Sequence, residues 1–169
     1  YGCTASDAVL VEVTDMTAAA VASDVTCFGM NDGTAEASTN VGGNNTYLWS
    51  DGAAQTTATA SNLAPGSYTV TISNPGGCSA TATVSISGPA DLTLSTINQN
   101  ANCFGASNGT AGVLASGGIM PYQYSWSNNS TNSTLSGIGG GSYTVTVSDV
   151  NGCSATGSAT VLSTNPIHF

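Results

Sequence analysis

Through much of the chain, apolar and polar residues alternate one by one. Tyr68, Val70 and Ile72 are interleaved with Thr69, Thr71 and Ser73, and Tyr143, Val145 and Val147 repeat the pattern. A period of two sends the apolar set to one face of a sheet and the hydroxyls to the other. Ala82, Val84 and Ile86 alternate with Thr81, Thr83 and Ser85 in the same way. Asn74-Pro75-Gly76-Gly77 and Asp149-Val150-Asn151-Gly152 fall between such segments and predict hairpin loops. No apolar period of 3.6 persists. Ala18-Ala19-Ala20 is the one helical temptation, and Thr17, Val21 and Ser23 around it make a poor helix.

The strand pattern is written twice. Cys27-Phe28-Gly29 returns as Cys103-Phe104-Gly105, Trp49-Ser50 as Trp126-Ser127, and Gly66-Ser67-Tyr68-Thr69-Val70-Thr71 as Gly141-Ser142-Tyr143-Thr144-Val145-Thr146. Gly77-Cys78-Ser79-Ala80-Thr81 returns as Gly152-Cys153-Ser154-Ala155-Thr156, and Gly2-Cys3-Thr4-Ala5 is an earlier echo. These steps predict one module over residues 15–89 and a second over 90–165. Residues 1–14 read as the terminal strand of a preceding repeat, and 166–169 as the start of the next junction. Six or seven short strands in about 75 residues imply an all-β fold of tandem antiparallel Ig-like sandwiches, expected to form an extended rod. Leu63-Ala64-Pro65-Gly66-Ser67-Tyr68 reads as a corner whose tyrosine bonds back to nearby backbone. Trp49 and Trp126 fall on the third strand, where such folds bury a tryptophan.

At these residues the sequence resembles the SprB-type repeats. The resemblance is carried by Cys-Phe-Gly-x-Asn-Asp-Gly-Thr at 27–34, Gly-Gly at 42–43, Tyr-Leu-Trp-Ser-Asp-Gly at 47–52, Leu-Ala-Pro-Gly-Ser-Tyr-Thr-Val at 63–70 and Gly-Gly-Cys at 76–78. In the second module it runs from Gly117 to Ser127 and through Asp149-Val150-Asn151-Gly152-Cys153. The first module departs from the pattern: Asn44-Asn45-Thr46 stands where the second has Ile119-Met120-Pro121-Tyr122-Gln123. The resemblance implies very long secreted proteins of gliding bacteria, which form cell-surface filaments and act as adhesins. It supplies no catalytic residues.

Five cysteines at this period argue for disulfides in an oxidising compartment. Two pairings keep the period. One closes each module, Cys27–Cys78 and Cys103–Cys153, and leaves Cys3 to a partner outside this chain. The other crosses the junctions, Cys3–Cys27 and Cys78–Cys103, and leaves Cys153. Strand parity decides, because an odd number of strands between two cysteines sends them to opposite ends of a sandwich. The segment after Trp49 holds one strand or two, so the sequence leaves the parity open. The resemblance, in which both cysteines belong to one module, favours Cys27–Cys78 and Cys103–Cys153.

Charge narrows the chemistry. The chain has no Lys or Arg, nine carboxylates and a net charge of −9. Nucleic-acid binding and attraction to anionic membranes are excluded, as are Schiff-base and guanidinium chemistry. No apolar run reaches the ~20 residues of a membrane-inserted helix. His168 is the only histidine and lies beside the junction, so neither a nucleophile–base pair within a module nor a zinc site is formed. The carboxylates do not repeat as a catalytic dyad would: Asp32 becomes Asn108 and Asp51 becomes Asn128. No enzyme is expected. No metal site is expected; Asp24, Asn31 and Asp32 are weak candidates for part of a calcium site, and the stronger reading of Asn-Asp-Gly is a tight turn before a strand. Tyr122, Tyr124 and Trp126 share a sheet face and stack sugars if that face is outward, or belong to the core if inward. The expected role is a structural repeat of an extracellular filament or adhesin, partnered by neighbouring repeats or by self-association. The alternatives are a glycan- or calcium-binding module and a subunit polymerised by strand donation through residues 1–14.

Overall fold

The computed structural model describes residues 15–103 and 105–163. The expectations for Cys3, for strand donation through residues 1–14 and for His168 lie outside these residues. The first sandwich contains β1 (Ala18–Ser23), β2 (Gly33–Thr39), β3 (Thr46–Trp49), β4 (Thr59–Leu63), β5 (Gly66–Ser73) and β6 (Ser79–Ile86). The second contains β7 (Thr93–Gln99), β8 (Gly109–Ser116), β9 (Gln123–Trp126), β10 (Thr134–Ile138), β11 (Gly141–Ser148) and β12 (Ser154–Val161). Each sandwich faces two antiparallel three-stranded sheets: β1-β2-β4 against β3-β5-β6, and β7-β8-β10 against β9-β11-β12. Ala18-Ala19-Ala20 is strand, with alanines on alternate faces.

The third and fourth strands of each sandwich are half-length. β3 has 4 residues and β4 has 5, against 8 in β5. β3 starts with Thr46 opposite Ser73, at the end of β5, and stops with Trp49 opposite Val70, halfway along it. β4 resumes in the other sheet with Thr59 opposite Glu36, midway along β2, and finishes with Leu63 opposite Gly33. The chain thus crosses between sheets at mid-height without reversing. β3 and β4 together make one traverse.

Tryptophan fixes that crossing. Trp49 is 1% exposed, so its ring is core. Its backbone N–H donates to Gln55 O at 3.0 Å and its indole Nε1 to Thr57 O at 3.0 Å. Trp126 does the same with Ser130 O at 2.9 Å and Asn132 O at 2.8 Å. A buried indole needs an acceptor, and here the crossover backbone supplies it.

Each sandwich has its own core. Val25, Ala35, Ala37, Trp49, Ala60, Leu63, Val70, Ile72 and Ile86 fill the first. Ala111, Val113, Trp126, Leu135, Val145, Val147 and Val161 hold most of the second. The corner tyrosines lock the turn before the fifth strand: Tyr68 Oη donates to Ala64 O at 2.9 Å and Tyr143 Oη to Gly139 O at 3.0 Å. Hydroxyls cover the outer face, as where Thr69 Oγ1 and Thr83 Oγ1 lie 2.9 Å apart. The first strand also leans on the last. Thr96 Oγ1 donates to Ser158 O at 3.0 Å, and Asn98 Nδ2 to Thr160 O at 2.7 Å. That contact covers a sheet edge without the usual lysines.

Gly33 and Gly109 begin β2 and β8 where no room is left for a side chain. A Cβ on Gly33 would lie 2.8 Å from Ile86 Cγ2 and 2.9 Å from Leu63 O. On Gly109 it would lie 2.6 Å from Val161 Cγ1 and 3.0 Å from Ile138 O. The carbonyls cannot rotate away, so overpacking is forced. Gly33→Ala and Gly109→Ala should each lose about 1–3 kcal/mol in denaturant unfolding. Gly42→Ala, whose Cβ meets nothing within 4 Å, should stay within about 0.5 kcal/mol of the parent.

Candidate functional site: the junction

The half-length strands decide what lies at each end of a sandwich. The entry end carries the start of the first strand, the loop between the second and third strands, and the hairpin between the fifth and sixth. The exit end carries the loop between the first and second strands, the corner tyrosine and the end of the sixth strand. From Cys27 to Cys78 the chain makes three traverses: β2, β3 with β4, and β5. Cys27 is therefore at the exit end of its sandwich and Cys78 at the entry end.

The exit end of the first sandwich meets the entry end of the second. Cys27 is disulfide-bonded to Cys153 across this contact, with a Cα–Cα distance of 5.7 Å. Cys78 and Cys103 carry exposed free thiols. The expected pairs Cys27–Cys78 and Cys103–Cys153 are thus not formed, because odd parity holds the members of each a full sandwich apart. Cys78–Cys103 is not formed either. Those residues lie at the outer ends of the two-sandwich unit.

Two loops present the bonded cysteines. In the hairpin between β11 and β12, Asp149 is 3% exposed. Its Oδ1 accepts the N–H groups of Asn151 and Cys153, both at 2.9 Å, and its Oδ2 accepts that of Ile119 at 2.9 Å. Gly152, at φ 84°, closes the turn by donating to Asp149 O at 3.1 Å. Gly118 N donates to Ala90 O at 2.8 Å, which ties the linker to the same assembly. On the other side, Asp32 Oδ1 accepts the Thr26 N–H at 3.0 Å and Oδ2 the Thr26 hydroxyl. Met30 N donates to Cys27 O at 3.1 Å over Gly29, at φ 74°. Asp24 fastens this loop to the end of β6, accepting from Ser87 N at 2.8 Å and Ser87 Oγ at 2.7 Å.

Across the junction, Asn151 Nδ2 donates to Thr26 O at 3.0 Å. A cleft of about 190 Å³ remains between Phe28, Met30, Leu92 and Gly118 beside the disulfide. Phe28 is 62% exposed. Sequence reasoning missed Asp149 and Asn151 as junction residues. The signal was Asp-x-Asn-Gly-Cys, a self-capping turn that ends on a cysteine.

The other candidates fall differently. Asp24 and Asp32 serve the loop through the bonds above, and the second sandwich keeps the backbone N–H contacts of each without charge. There Asn100 Oδ1 accepts Leu162 N–H and Asn108 Oδ1 accepts Asn102 N–H, both at 3.0 Å. Asn31 lines a separate cleft with Asp51 and Gln55. Among the described residues, no three His, Cys, Asp or Glu side chains gather as a metal would require. Tyr122, Tyr124 and Trp126 do not form a sugar-stacking platform. They lie on the inner face, with Trp126 2% exposed and both tyrosines packed against the core. Tyr122 Oη donates to Gly117 O at 2.6 Å, so the extra residues of this module brace the entry end.

The substitutions of amide for acid should give the sandwiches different acid responses. Hydrogen bonds from Ser87 hold the Asp24 carboxyl below its ordinary value of 3.8, the Thr26 hydroxyl and N–H do so for Asp32, and the Gln55 side chain for Asp51. A lowered folded pKa adds stability that is complete above 3.8 and is lost as pH falls through the folded values. The triple variant Asp24→Asn, Asp32→Asn, Asp51→Asn carries the amides of the second sandwich. In unfolding series between about pH 5 and pH 2 it should lose less stability than the parent. An equal loss would refute this role for the three carboxylates.

The SprB repeat family matches residues 19–54 and again 95–131. No curated protein matches the chain. Among solved structures, the amphioxus IgVJ-C2 molecule is 12% identical, with 69% of this chain and 87% of that chain covered and a TM-score of 0.35. Murine CEACAM1b is 14% identical, with 89% and 100% covered and a TM-score of 0.35. The N-terminal four Ig domains of Dscam1 isoform 6.44 are 14% identical, with 78% of this chain and 40% of that chain covered and a TM-score of 0.33. One segment in each sandwich is thus similar to the SprB repeat, in agreement with the resemblance read from the sequence.

Proposed function

We propose that this chain is a structural segment of an extracellular cell-surface filament or giant adhesin, in which successive sandwiches form a semi-rigid rod used for attachment or gliding. One observation carries the reading: the disulfide joins two sandwiches instead of closing one. Domains in tandem ordinarily move relative to one another, and a covalent bond beside the linker removes most of that freedom. In the chain-entropy picture, a bond across 126 residues also stabilises the folded pair of sandwiches against global unfolding by about 5 kcal/mol. That is comparable with the whole stability of a small domain.

The surroundings that suit this bond also suit the composition. Structural disulfides persist outside the cytosol. With no Lys or Arg, the chain offers no site to trypsin-like proteases. Nine carboxylates and no cation keep neighbouring rods apart at low salt, an effect that salt screens.

The test is immunogold electron microscopy of intact source cells with antibodies raised against this chain. The expected result is label along extended surface structures of non-permeabilised cells. Label that appears only after permeabilisation, or only on the cell body with no projecting structure, would overturn the proposal.

A further inference from the structure

The bond between Cys27 and Cys153 joins cysteines from different positions in the repeat. Cys27 is the exit-end cysteine of one sandwich, and Cys153 is the entry-end cysteine of the next. Cys103 is the repeat equivalent of Cys27, and Cys78 that of Cys153. Both are free and exposed. We infer that Cys103 and Cys78 are bonding positions of the same kind, taking the entry-end cysteine of a following repeat and the exit-end cysteine of a preceding one. In an array, every junction then carries one disulfide and no sandwich has an internal one.

Two separate observations point to this partner. First, each free cysteine has a repeat equivalent that is bonded, and the surface receiving that equivalent is on view at the junction. Second, the free cysteines are held in the same backbone settings. Around Cys78, Asn74 N donates to Cys78 O at 3.0 Å, Cys78 N to Asn74 Oδ1 at 2.9 Å and Gly77 N to Asn74 O at 3.1 Å. Asp149 makes the corresponding contacts around Cys153 at 2.9, 2.9 and 3.1 Å. Gly77 and Gly152 share φ 84°. Around Cys103, Ala106 N donates to Cys103 O at 3.1 Å, as Met30 N does to Cys27 O, and Gly105 has φ 76°. The side-chain contact is not repeated, since Gly76 stands where Asn151 reaches across the known junction. The disulfide is the element common to all junctions.

Each bond forms by two exchanges with an external disulfide, either a small-molecule disulfide or a protein disulfide oxidant. One repeat's thiolate attacks the oxidant's disulfide and releases one of its thiolates. The partner thiolate then attacks the mixed disulfide and releases the second. The repeats lose two protons and two electrons, and the oxidant leaves as two thiols.

The test uses the chain with Cys3→Ser, in which a second copy of residues 90–165 follows Pro166 in place of the last three residues. It is refolded with oxidised glutathione, alkylated and mapped by peptide mass spectrometry without reduction. The expected crosslinks are Cys27 to Cys153 and Cys103 to the added copy's entry-end cysteine, leaving two alkylated thiols rather than four. Adding Cys103→Ser should expose the added copy's cysteine to alkylation and leave the Cys27–Cys153 bond intact, which shows that the rest has folded. Alkylation of both Cys103 and the added copy's entry-end cysteine, or a bond from Cys103 to a second molecule, would overturn the inference. The cell-surface reading would stand in either case, because the mapping concerns connectivity alone.

Discussion

The crossing between sheets at mid-height governs the rest of the structure. Had the chain after Trp49 completed its strand and turned back, Cys27 and Cys78 would meet at one end of a sandwich. Instead the indole of Trp49 sits in the core and holds the crossover backbone through Thr57 O. The descent is split into 4 residues in one sheet and 5 in the other. Three traverses then separate the cysteines, and the bond that cannot form within a sandwich forms between two. Trp126 repeats the arrangement with Asn132 O.

Much of this was legible in the sequence. The alternation around Tyr68–Ile72 placed a strand, the repeat placed the second sandwich, and the tyrosine corner and buried tryptophans followed from residue types with few alternative homes. The pairing of cysteines was not legible. It depends on whether the segment after Trp49 reverses, and half-length strands leave no period-two signature of their own. The family resemblance favoured the pairs within a module, because cysteines carried by one repeat unit look as though they serve that unit. In a tandem array, belonging to one unit and bonding within it are separate matters.

The junction was hidden for a related reason. Asp149 reads as one of nine scattered carboxylates, and only its burial and three N–H donors make it the organiser of the hairpin that presents Cys153. Asp24 and Asp32 suggested a cation site by their charge, yet Asn100 and Asn108 make the corresponding backbone N–H contacts without it. Comparing the two copies separates what the fold needs from what one copy happens to carry. The fold needs the acceptor oxygen and not its charge. By the same comparison, Tyr122 and Tyr124 take part in the second core and its entry end.

The odd parity of the sandwich can be read from the disulfide connectivity of the unmodified chain. Alkylating the folded protein and then digesting it without reduction should yield a peptide pair joining Cys27 to Cys153, with Cys78 and Cys103 alkylated. Recovery of Cys27 joined to Cys78, or of Cys103 joined to Cys153, would mean that the two cysteines of a sandwich share one end. That result would contradict the half-strand crossover and all that follows from it.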